Sequence, residues 1–204
     1  MPVFVHEGDL PEGISFGNSV AVDTESMGLH PARDRLCVVQ LSAGDGNAHL
    51  VHFPVHADYR APRLCRLLAD RDVLKIFHFA RADLAFIRAY LGVTCDPVYC
   101  TKIASRIART NVESHSLRNL CHDLLGIDLD KQQQCSDWGV ETLTPEQQTY
   151  AATDVLHLHA LKEKLDALLE REGRDALVEP CFAFLPYRAE LDLAGWADID
   201  IFAY

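Results

Sequence analysis

The side chains best suited to chemistry are five residues in three separate segments of the chain. Asp23 and Glu25 lie near its start, Asp83 lies further along, and Tyr150 and Asp154 follow after a long interval. Residues two apart in a strand face the same side, and residues four apart in a helix share a face. Carboxylates that converge on one point suit divalent cations, which prefer oxygen ligands. The pattern therefore predicts metal-assisted cleavage of a phosphodiester.

The chemistry expected of such a cluster uses two Mg²⁺ or Mn²⁺ ions per site and no other cofactor. Ions held roughly 3.5–4 Å apart activate a water molecule and stabilise the leaving oxygen of an in-line displacement. We expect Asp23, Glu25 and Asp154 to hold one ion. The other is expected on Asp23, with Asp83 assisting directly or through water. Tyr150 is expected to orient the attacking water, because a phenol with a pKa of about 10 is a poor base at neutral pH.

Each of these signals is weak when it is taken alone. An Asp-x-Glu trio is a common polar end of a strand, and Asp83 alone suits an ordinary helix surface. Tyr150 could equally be a core residue and Asp154 a solvated one. The two alanines between them, Ala151 and Ala152, favour the functional interpretation, because small residues let a helix lie close to a neighbouring element. The case depends on the whole set.

The elements that must position these residues begin with three β-prone runs: Ser19–Asp23, Leu36–Leu41 and Ala48–Phe53. Their short connections predict an antiparallel meander with the first acids at a strand end. Helices and strands then alternate. Helices are predicted over Pro62–Asp70, Arg81–Leu91, Thr101–Arg109 and Leu117–Leu125, and strands over Val73–Phe77 and Val98–Cys100. This order predicts an α/β fold with a mixed central sheet flanked by helices.

The clearest helix signal surrounds Asp154. Thr144 is a predicted N-cap, Pro145 suits the first helical position, and Gln147 completes a capping box. Leucines continue the apolar pattern to about Glu170, so the sequence predicts one long helix.

The composition narrows the class of protein. The 204 residues contain no internal repeat and no linker, which predicts one domain over residues 1–204. A net charge of −11 argues against a protein that coats long nucleic acid, and it favours short substrates held in a pocket. No export signal or membrane-length apolar run is present, so a cytoplasmic protein with no membrane partner is expected. The seven cysteines form no Cys-x-x-Cys pair and are predicted to be free thiols.

The C-terminal segment 180–204 is rich in aromatic and aliphatic side chains, among them Phe182, Tyr187, Trp196 and Phe202. Such a segment either packs back on the domain or forms a contact between subunits, where aromatic anchors are common. The sequence leaves both interpretations open.

The order of the motifs resembles the RNase D-like, DEDDy branch of the DEDD 3′-to-5′ exonucleases. Asp23 and Glu25 match the first motif of that family, Asp83 matches the second, and Tyr150 with Asp154 matches the third. The resemblance covers residues 23–154 and implies a ribonuclease H-like fold. It also implies that these five residues are catalytic and that the four acids bind the metal ions.

Further features make the resemblance narrower. His78, five residues before Asp83, recurs in RNase D-like motifs, and Lys131–Trp138 resembles the Ser-Asp-Trp segment that precedes the third motif. Together with Arg35–Leu41 and the aromatic tail, they resemble the nano-RNase C group. That resemblance implies 3′-to-5′ hydrolysis of short single-stranded RNA, dinucleotides included, and assembly into a homo-octamer. Activity on DNA 3′ ends has also been associated with the group.

Two residues are expected to contact the substrate. Gly28 permits a tight turn just past the first acids, and the resemblance implies that Leu29 wedges between bases beside the 3′ nucleotide. The alternative is a loop leucine tucked into the core. His78 is expected to be a hydrogen-bonded core histidine or a support for the site rather than a metal ligand. Plausible phosphate contacts are Arg81, Lys102, Arg106, Arg109 and Lys131.

Three functions are compatible with these observations. The leading hypothesis is a two-metal exoribonuclease that releases 5′-mononucleotides from short oligonucleotides. The second is an exonuclease that acts mainly on DNA, and the third is a non-catalytic nucleic-acid-binding protein of the same fold. The complete set of motif residues counts against the third, because a scaffold needs none of them.

Overall fold

The computed structural model describes residues 2–129 and 136–203, and a six-stranded sheet lies at its centre. The strands are β1 (Val3–Glu7), β2 (Ser19–Ser26), β3 (Leu36–Ser42), β4 (Ala48–His52), β5 (Leu74–Phe77) and β6 (Val98–Cys100). Their order across the sheet is β1-β4-β3-β2-β5-β6. The pairs β2–β3 and β3–β4 are antiparallel, whereas β1–β4, β2–β5 and β5–β6 are parallel. The predicted meander and mixed sheet are confirmed.

The helices are α1 (Pro62–Ala69), α2 (Arg81–Leu91), α3 (Thr101–Ala108), α4 (Leu117–Leu120), α5 (Pro145–Leu156), α6 (Leu158–Glu172) and α7 (Asp175–Leu191). Helix α5 packs on β3 and β4 through a small apolar cluster that includes Cys37, Leu50, Trp138 and Ala151. Helices α2, α3, α6 and α7 pack on one another and contribute to the main core. The sheet is therefore flanked by helices, as the sequence predicts.

Strand β2 leaves the core where its acids begin. Val20, Ala21 and Val22 are fully buried, whereas Asp23 and Glu25 are half-buried. The pairing of β2 with β3 shifts register between Glu25 and Ser26, and such irregularities redirect side chains near functional sites. The neighbouring β3 is buried along its whole length, which explains its nearly unbroken apolar sequence.

The predicted helix from Thr144 to about Glu170 is wrong as one element. The chain forms α5 and α6, which meet at His157, where φ is −102° and ψ is −5°. The backbone N–H of His157 bonds the carbonyl of Val155 instead of continuing the helical ladder. Neither glycine nor proline marks this break, so the leucine pattern runs through it.

Two further elements differ from the sequence prediction. Strand β1, parallel to β4 at the sheet edge, was not predicted. The segment taken as a tail from Pro180 begins inside α7, which contains both Pro180 and Pro186. Proline removes a helical hydrogen bond and therefore disfavours a helix in the local sequence. Tertiary packing stabilises the helix here.

The end of the chain packs back on the domain, which was one of the two alternatives. Arg81 of α2 donates to Asp192 at 2.6 and 2.8 Å, and Arg188 donates to the carbonyl of Trp196 at 2.8 Å. Trp196 and Phe202 nevertheless keep 45% and 76% of their surface exposed. A subunit contact through this segment stays a prediction.

Four further sequence predictions concern a short helix, the cysteines, membrane spans and the Lys131–Trp138 tract. The predicted helix Leu117–Leu125 becomes π-helical from Cys121 onward and ends at Gly126, whose φ is +69°. The six described cysteines are free thiols. Within the described ranges, no helix has both the length and the apolar character needed to span a bilayer. Lys131 and most of the Lys131–Trp138 tract lie outside the described residues.

Candidate active site

Three of the predicted acids meet at the end of β2. One carboxylate oxygen from each of Asp23, Glu25 and Asp154 lies within 4.8 Å of the other two. Asp23 and Glu25 come from β2, and Asp154 comes from α5, which is far away in the sequence. Three such oxygens can share one cation without any large movement of the chain.

Helix α5 is fixed at its start by a capping box. The Thr144 hydroxyl accepts from the backbone N–H of Gln147 at 3.2 Å, and the Gln147 side chain accepts from the Thr144 N–H at 2.9 Å. Gln147 also donates to the carbonyl of Asp137 at 2.8 Å. Ala151 and Ala152 are fully buried, so the helix lies close to the sheet and brings Asp154 to the end of β2.

Asp83 lies beside the trio rather than within it. It occupies the first turn of α2, is 7% exposed, and accepts a 2.6 Å hydrogen bond from the Thr24 hydroxyl. Gln40 of β3, opposite Asp23 in the register, donates to Asp23 at 3.2 Å. Thr24 and Gln40 therefore orient two of the acids through neutral hydrogen bonds.

The surroundings of the four acids disfavour their charged forms. Burial raises the pKa of Asp23 and of Glu25 well above its ordinary range, and repulsion from the neighbouring acids adds to the effect. Burial likewise raises the pKa of Asp83 to about 6 and the pKa of Asp154 to about 7. Among the described residues, no Lys, Arg or His forms an ion pair with any of these acids. A bound divalent cation would supply the missing positive charge.

Asp23, Glu25 and Asp154 line a cleft of about 310 Å³. Its other lining residues are Thr24, His78, Phe79, Lys102, Ser116, Leu117, Arg118, Leu129 and Tyr150. Tyr150 shares the α5 face with Asp154 and lies near Trp138, with a distance of 6.1 Å between the ring centroids. The structure thus brings Tyr150 and His78 to the same cleft as the acids.

His78 has a defined protonation state. Burial and the nearby Lys102 lower its pKa to about 3, so the ring is neutral at physiological pH. Its Nδ1 lies 2.9 Å from the hydroxyl of Thr101, and that hydroxyl donates its own proton to the carbonyl of Phe77 at 3.2 Å. Nδ1 must therefore donate to Thr101, which leaves Nε2 as a hydrogen-bond acceptor.

Leu29 is 85% exposed, which excludes the alternative of a leucine tucked into the core. It follows β2 in a loop that a bond from the His30 N–H to the Asp34 carboxylate closes at 3.0 Å. A Cβ at Gly28 would collide with that carboxylate, so the turn requires glycine for reasons of space.

The candidate phosphate contacts separate into two kinds. Lys102 lines the cleft. Arg81 and Arg109 are engaged inside the protein, with Asp192 and Asp123 respectively. Arg118, which the sequence reasoning did not single out, also lines the cleft.

Thr24, Gln40 and Phe79 were missed as site residues. Gln40 carried a signal, because it is the one amide in an otherwise apolar strand. Thr24 is flanked by acids but points to the other side of the strand from them, so strand alternation alone concealed its bond to Asp83. Phe79 gave no local signal.

The chain is similar to known exonucleases. A model of the 3′–5′ exonuclease family matches residues 9–170, a range that contains all five predicted catalytic positions. A ribonuclease D from Granulibacter bethesdensis is 36% identical over 166 residues, which make up 81% of this chain and 41% of that protein. The chain spans about two-fifths of the length of the curated relatives it matches.

Two solved structures of Brucella melitensis NrnC are similar over the whole chain. The structure bound to pGG is 49% identical with a TM-score of 0.96, and it covers 100% of this chain and 99% of that one. The structure with bound Mg²⁺ is 48% identical with a TM-score of 0.95, and it covers 100% of both chains.

Proposed function

The chain belongs to the 3′–5′ exonuclease family, and within it to the RNase D-like group that includes NrnC, and from that premise we propose that it hydrolyses short oligoribonucleotides, dinucleotides included, from their 3′ ends. The ribonuclease H-like fold of that family agrees with the mixed sheet and its flanking helices. The products are 5′-mononucleotides.

One observation carries the proposal. Acids from two distant elements bring their oxygens within 4.8 Å of one another in a cleft, without an ion pair to any described basic residue. Folding gains nothing from such an arrangement, because like charges this close together repel each other. A site for divalent cations explains it.

Asp23, Glu25 and Asp154 would hold a Mg²⁺ or Mn²⁺ ion, and Asp83 would assist a second. Ions held there would supply charge stabilisation for the attacking and leaving oxygens. Thr24 and Gln40 keep the carboxylates of Asp83 and Asp23 in place for this purpose. Support for metal use comes also from the relative whose structure contains Mg²⁺.

The remaining cleft residues position the substrate and the water. Tyr150 orients the attacking water from the same helix face as Asp154. His78 offers a neutral Nε2 acceptor to a sugar hydroxyl. Leu29 contacts the 3′ nucleoside from its exposed loop, and Lys102 attracts phosphate. The positions of Tyr150, His78 and Lys102 in the cleft, and the exposure of Leu29 in the loop after β2, support these roles.

Short substrates suit this chain for two reasons. The cleft of about 310 Å³ is small, and the chain's net charge of −11 repels long polyanions outside the cleft. The relative solved with pGG offers a further indication.

The test is a length series of 5′-labelled RNA and DNA, from two to about ten nucleotides, with Mg²⁺, with Mn²⁺ and with EDTA. We expect metal-dependent release of 5′-mononucleotides, fastest on the shortest RNA. Glu170→Gln, which alters an exposed acid on α6, serves as the control for the acidic variants. Cleavage that persists in EDTA, or no cleavage by the wild-type protein, would refute the proposal.

We also infer that the protein forms a homo-oligomer, an octamer if it follows the nano-RNase C pattern. The support is the exposed apolar surface near the end of the chain, which includes Trp196, Ile199 and Phe202. Clusters of exposed apolar side chains of this kind are typical of protein contacts. Light scattering on the wild type and on Trp196→Ala/Phe202→Ala tests the assembly, and a monomeric wild type would refute it.

A further inference from the structure

Phe79 combines strain with exposure at the edge of the cleft. It lies in the turn between β5 and α2, next to His78, and its ring lines the cleft. Its φ is +67°, a region that bulky residues rarely adopt, yet its side chain is 53% exposed. Folding therefore gains little apolar burial in return for an unfavourable backbone conformation.

Tyr59 provides the contrast. Apart from Phe79, it is the one other non-glycine residue with a positive φ in the described part of the chain. Its ring packs against Phe53 and Tyr90 with centroid distances of 5.1 and 4.9 Å, and its hydroxyl donates to the carbonyl of Leu36 at 2.8 Å. Packing accounts for the strain at Tyr59 and does not account for it at Phe79. Unexplained strain of this kind concentrates at ligand sites.

The ring of Phe79 is held by a cation. The Nζ of Lys102 lies 3.6 Å from the ring centroid, which is a cation–π contact on one face of the ring. With one face occupied and more than half of the side chain exposed, the ring presents its other face to a planar partner. Aromatic rings in such positions stack on nucleobases.

The position of Phe79 fits one nucleobase in particular. Leu29 follows β2 on the side of β3, whereas Phe79 follows β5, the neighbour of β2 on its other side. Because β2 and β5 are parallel, both loops emerge at the same edge of the sheet. The two side chains therefore flank the acids of β2, and a dinucleotide centred on those acids directs one base towards each.

We propose that Phe79 is a substrate-binding residue that stacks on the nucleobase 5′ to the scissile phosphate, an inference that rests on the proposed exonuclease function. Leu29 contacts the base on the 3′ side. The ligand of this subsite is a nucleobase, carried by either ribose or deoxyribose.

The experiment compares wild type, Phe79→Gly and Phe79→Trp on a 5′-phosphorylated dinucleotide and on the same compound with an abasic tetrahydrofuran at its 5′ position. For Phe79→Gly on the dinucleotide we expect KM to rise roughly tenfold or more, with kcat within about twofold, because stacking is lost. Phe79→Trp keeps the ring and the wild-type KM. On the abasic compound, wild type and Phe79→Gly have equal KM.

The melting temperature separates the stacking role from a structural one. Glycine relieves the positive φ, so the stacking role predicts that Phe79→Gly melts at or above the temperature of wild type. A structural role of the ring predicts a lower melting temperature. Phe4→Ala, which removes an exposed ring of β1 far from the acids in the sheet order, controls for loss of any exposed aromatic and leaves KM unchanged.

A wild-type KM for Phe79→Gly on the dinucleotide, or an equal loss on the abasic compound, would overturn the stacking role while wild-type cleavage still supported the nuclease. If the wild-type protein cleaved neither compound, the nuclease function would fall and the stacking role with it. The two failures are thus distinguishable.

Discussion

Two concave regions of this protein use acidic residues in opposite ways. A cavity of about 630 Å³ lies between the loop Leu10–Gly17 and α1, and it is about twice as large as the cleft that contains the acids of β2. Beside the larger cavity, Asp9 accepts from the backbone N–H groups of Arg63 and Leu64 at 3.2 and 2.9 Å, and so caps α1. Arg63 also reaches Glu12 at 2.7 Å.

Charge compensation identifies the site better than cavity size does. Beside the larger cavity, Asp9 and Glu12 pair with Arg63, and the carboxylate of Asp70 accepts from the backbone N–H of Asp72 at 2.9 Å. At the smaller cleft, Asp23 accepts from the amide of Gln40, and Asp83 beside it accepts from the hydroxyl of Thr24. Burial raises the pKa of all four acids. Acids that destabilise their own charged forms have a function that folding does not explain.

The largest expected effect follows from Asp154→Asn, which removes one carboxylate of the trio and leaves the shape unchanged. We expect kcat/KM to fall about a thousandfold, because the variant loses several kcal/mol of the transition-state stabilisation that bound metal provides. Without metal at pH 8, this variant is expected to melt higher than wild type, because a repelled charge is gone. Steady-state rates and thermal melts check both. Full activity in the variant would mean that the trio is not the metal site.

Thr24→Val tests the hydrogen bond that orients Asp83. Removal of a partner that orients a metal ligand typically lowers activity roughly 10- to 100-fold. Thr24→Ser keeps the hydroxyl and is expected to retain most of the activity. Rates for both variants, with Mg²⁺ affinity from calorimetry, give the comparison. Equal rates for the two would show that the hydroxyl has no role.

Mg²⁺ affinity is expected to depend on pH. Since the pKa of Asp154 is raised to about 7 and that of Asp83 to about 6, protons compete with the metal below those values. The affinity should weaken by up to about tenfold per pH unit for each displaced proton. Calorimetry in two buffers of different ionisation enthalpy counts the protons released. An affinity independent of pH between 5.5 and 8 would contradict the raised pKa values.

The same shifts set the sign for the metal-free protein. A carboxyl whose pKa is raised on folding contributes stability that is fully present below its unfolded pKa near 4 and lost as pH rises through the folded value. For Asp83 and Asp154 that loss falls between about pH 4 and pH 7. The stability difference between wild type and Asp154→Asn should therefore be small at pH 5 and larger at pH 8.

The smallest effect on activity is expected at the other region. Asp9→Ala removes the cap of α1, which costs about 1 kcal/mol and lowers the melting temperature by about 2–4 °C. Turnover should stay within about twofold of wild type, because Asp9 lies outside the cleft. A large loss of turnover in this variant would contradict the purely structural role of Asp9.

Much of the fold and the acidic set were predictable from sequence because local signals and tertiary structure agree there. The capping box at Thr144 and Gln147 and the spacing of Tyr150 and Asp154 are of this kind. The break at His157 and the helix through Pro180 are set by packing, which overrides the local pattern.

Contacts between distant segments were the hardest to predict. The bond from Thr24 to Asp83 joins residues 59 positions apart, and the contact of Lys102 with the Phe79 ring joins helix α3 to the turn before α2. No local pattern reports such pairs. Motif spacing identifies the acids, whereas the side chains that orient them emerge only from the fold.

The most direct measurement is anomalous diffraction from crystals of the wild-type protein soaked in Mn²⁺. Manganese peaks are expected at Asp23, Glu25 and Asp154, with none at Asp9 and Glu12, which both pair with Arg63. Manganese absent from the trio, or bound equally in both regions, would contradict this expectation.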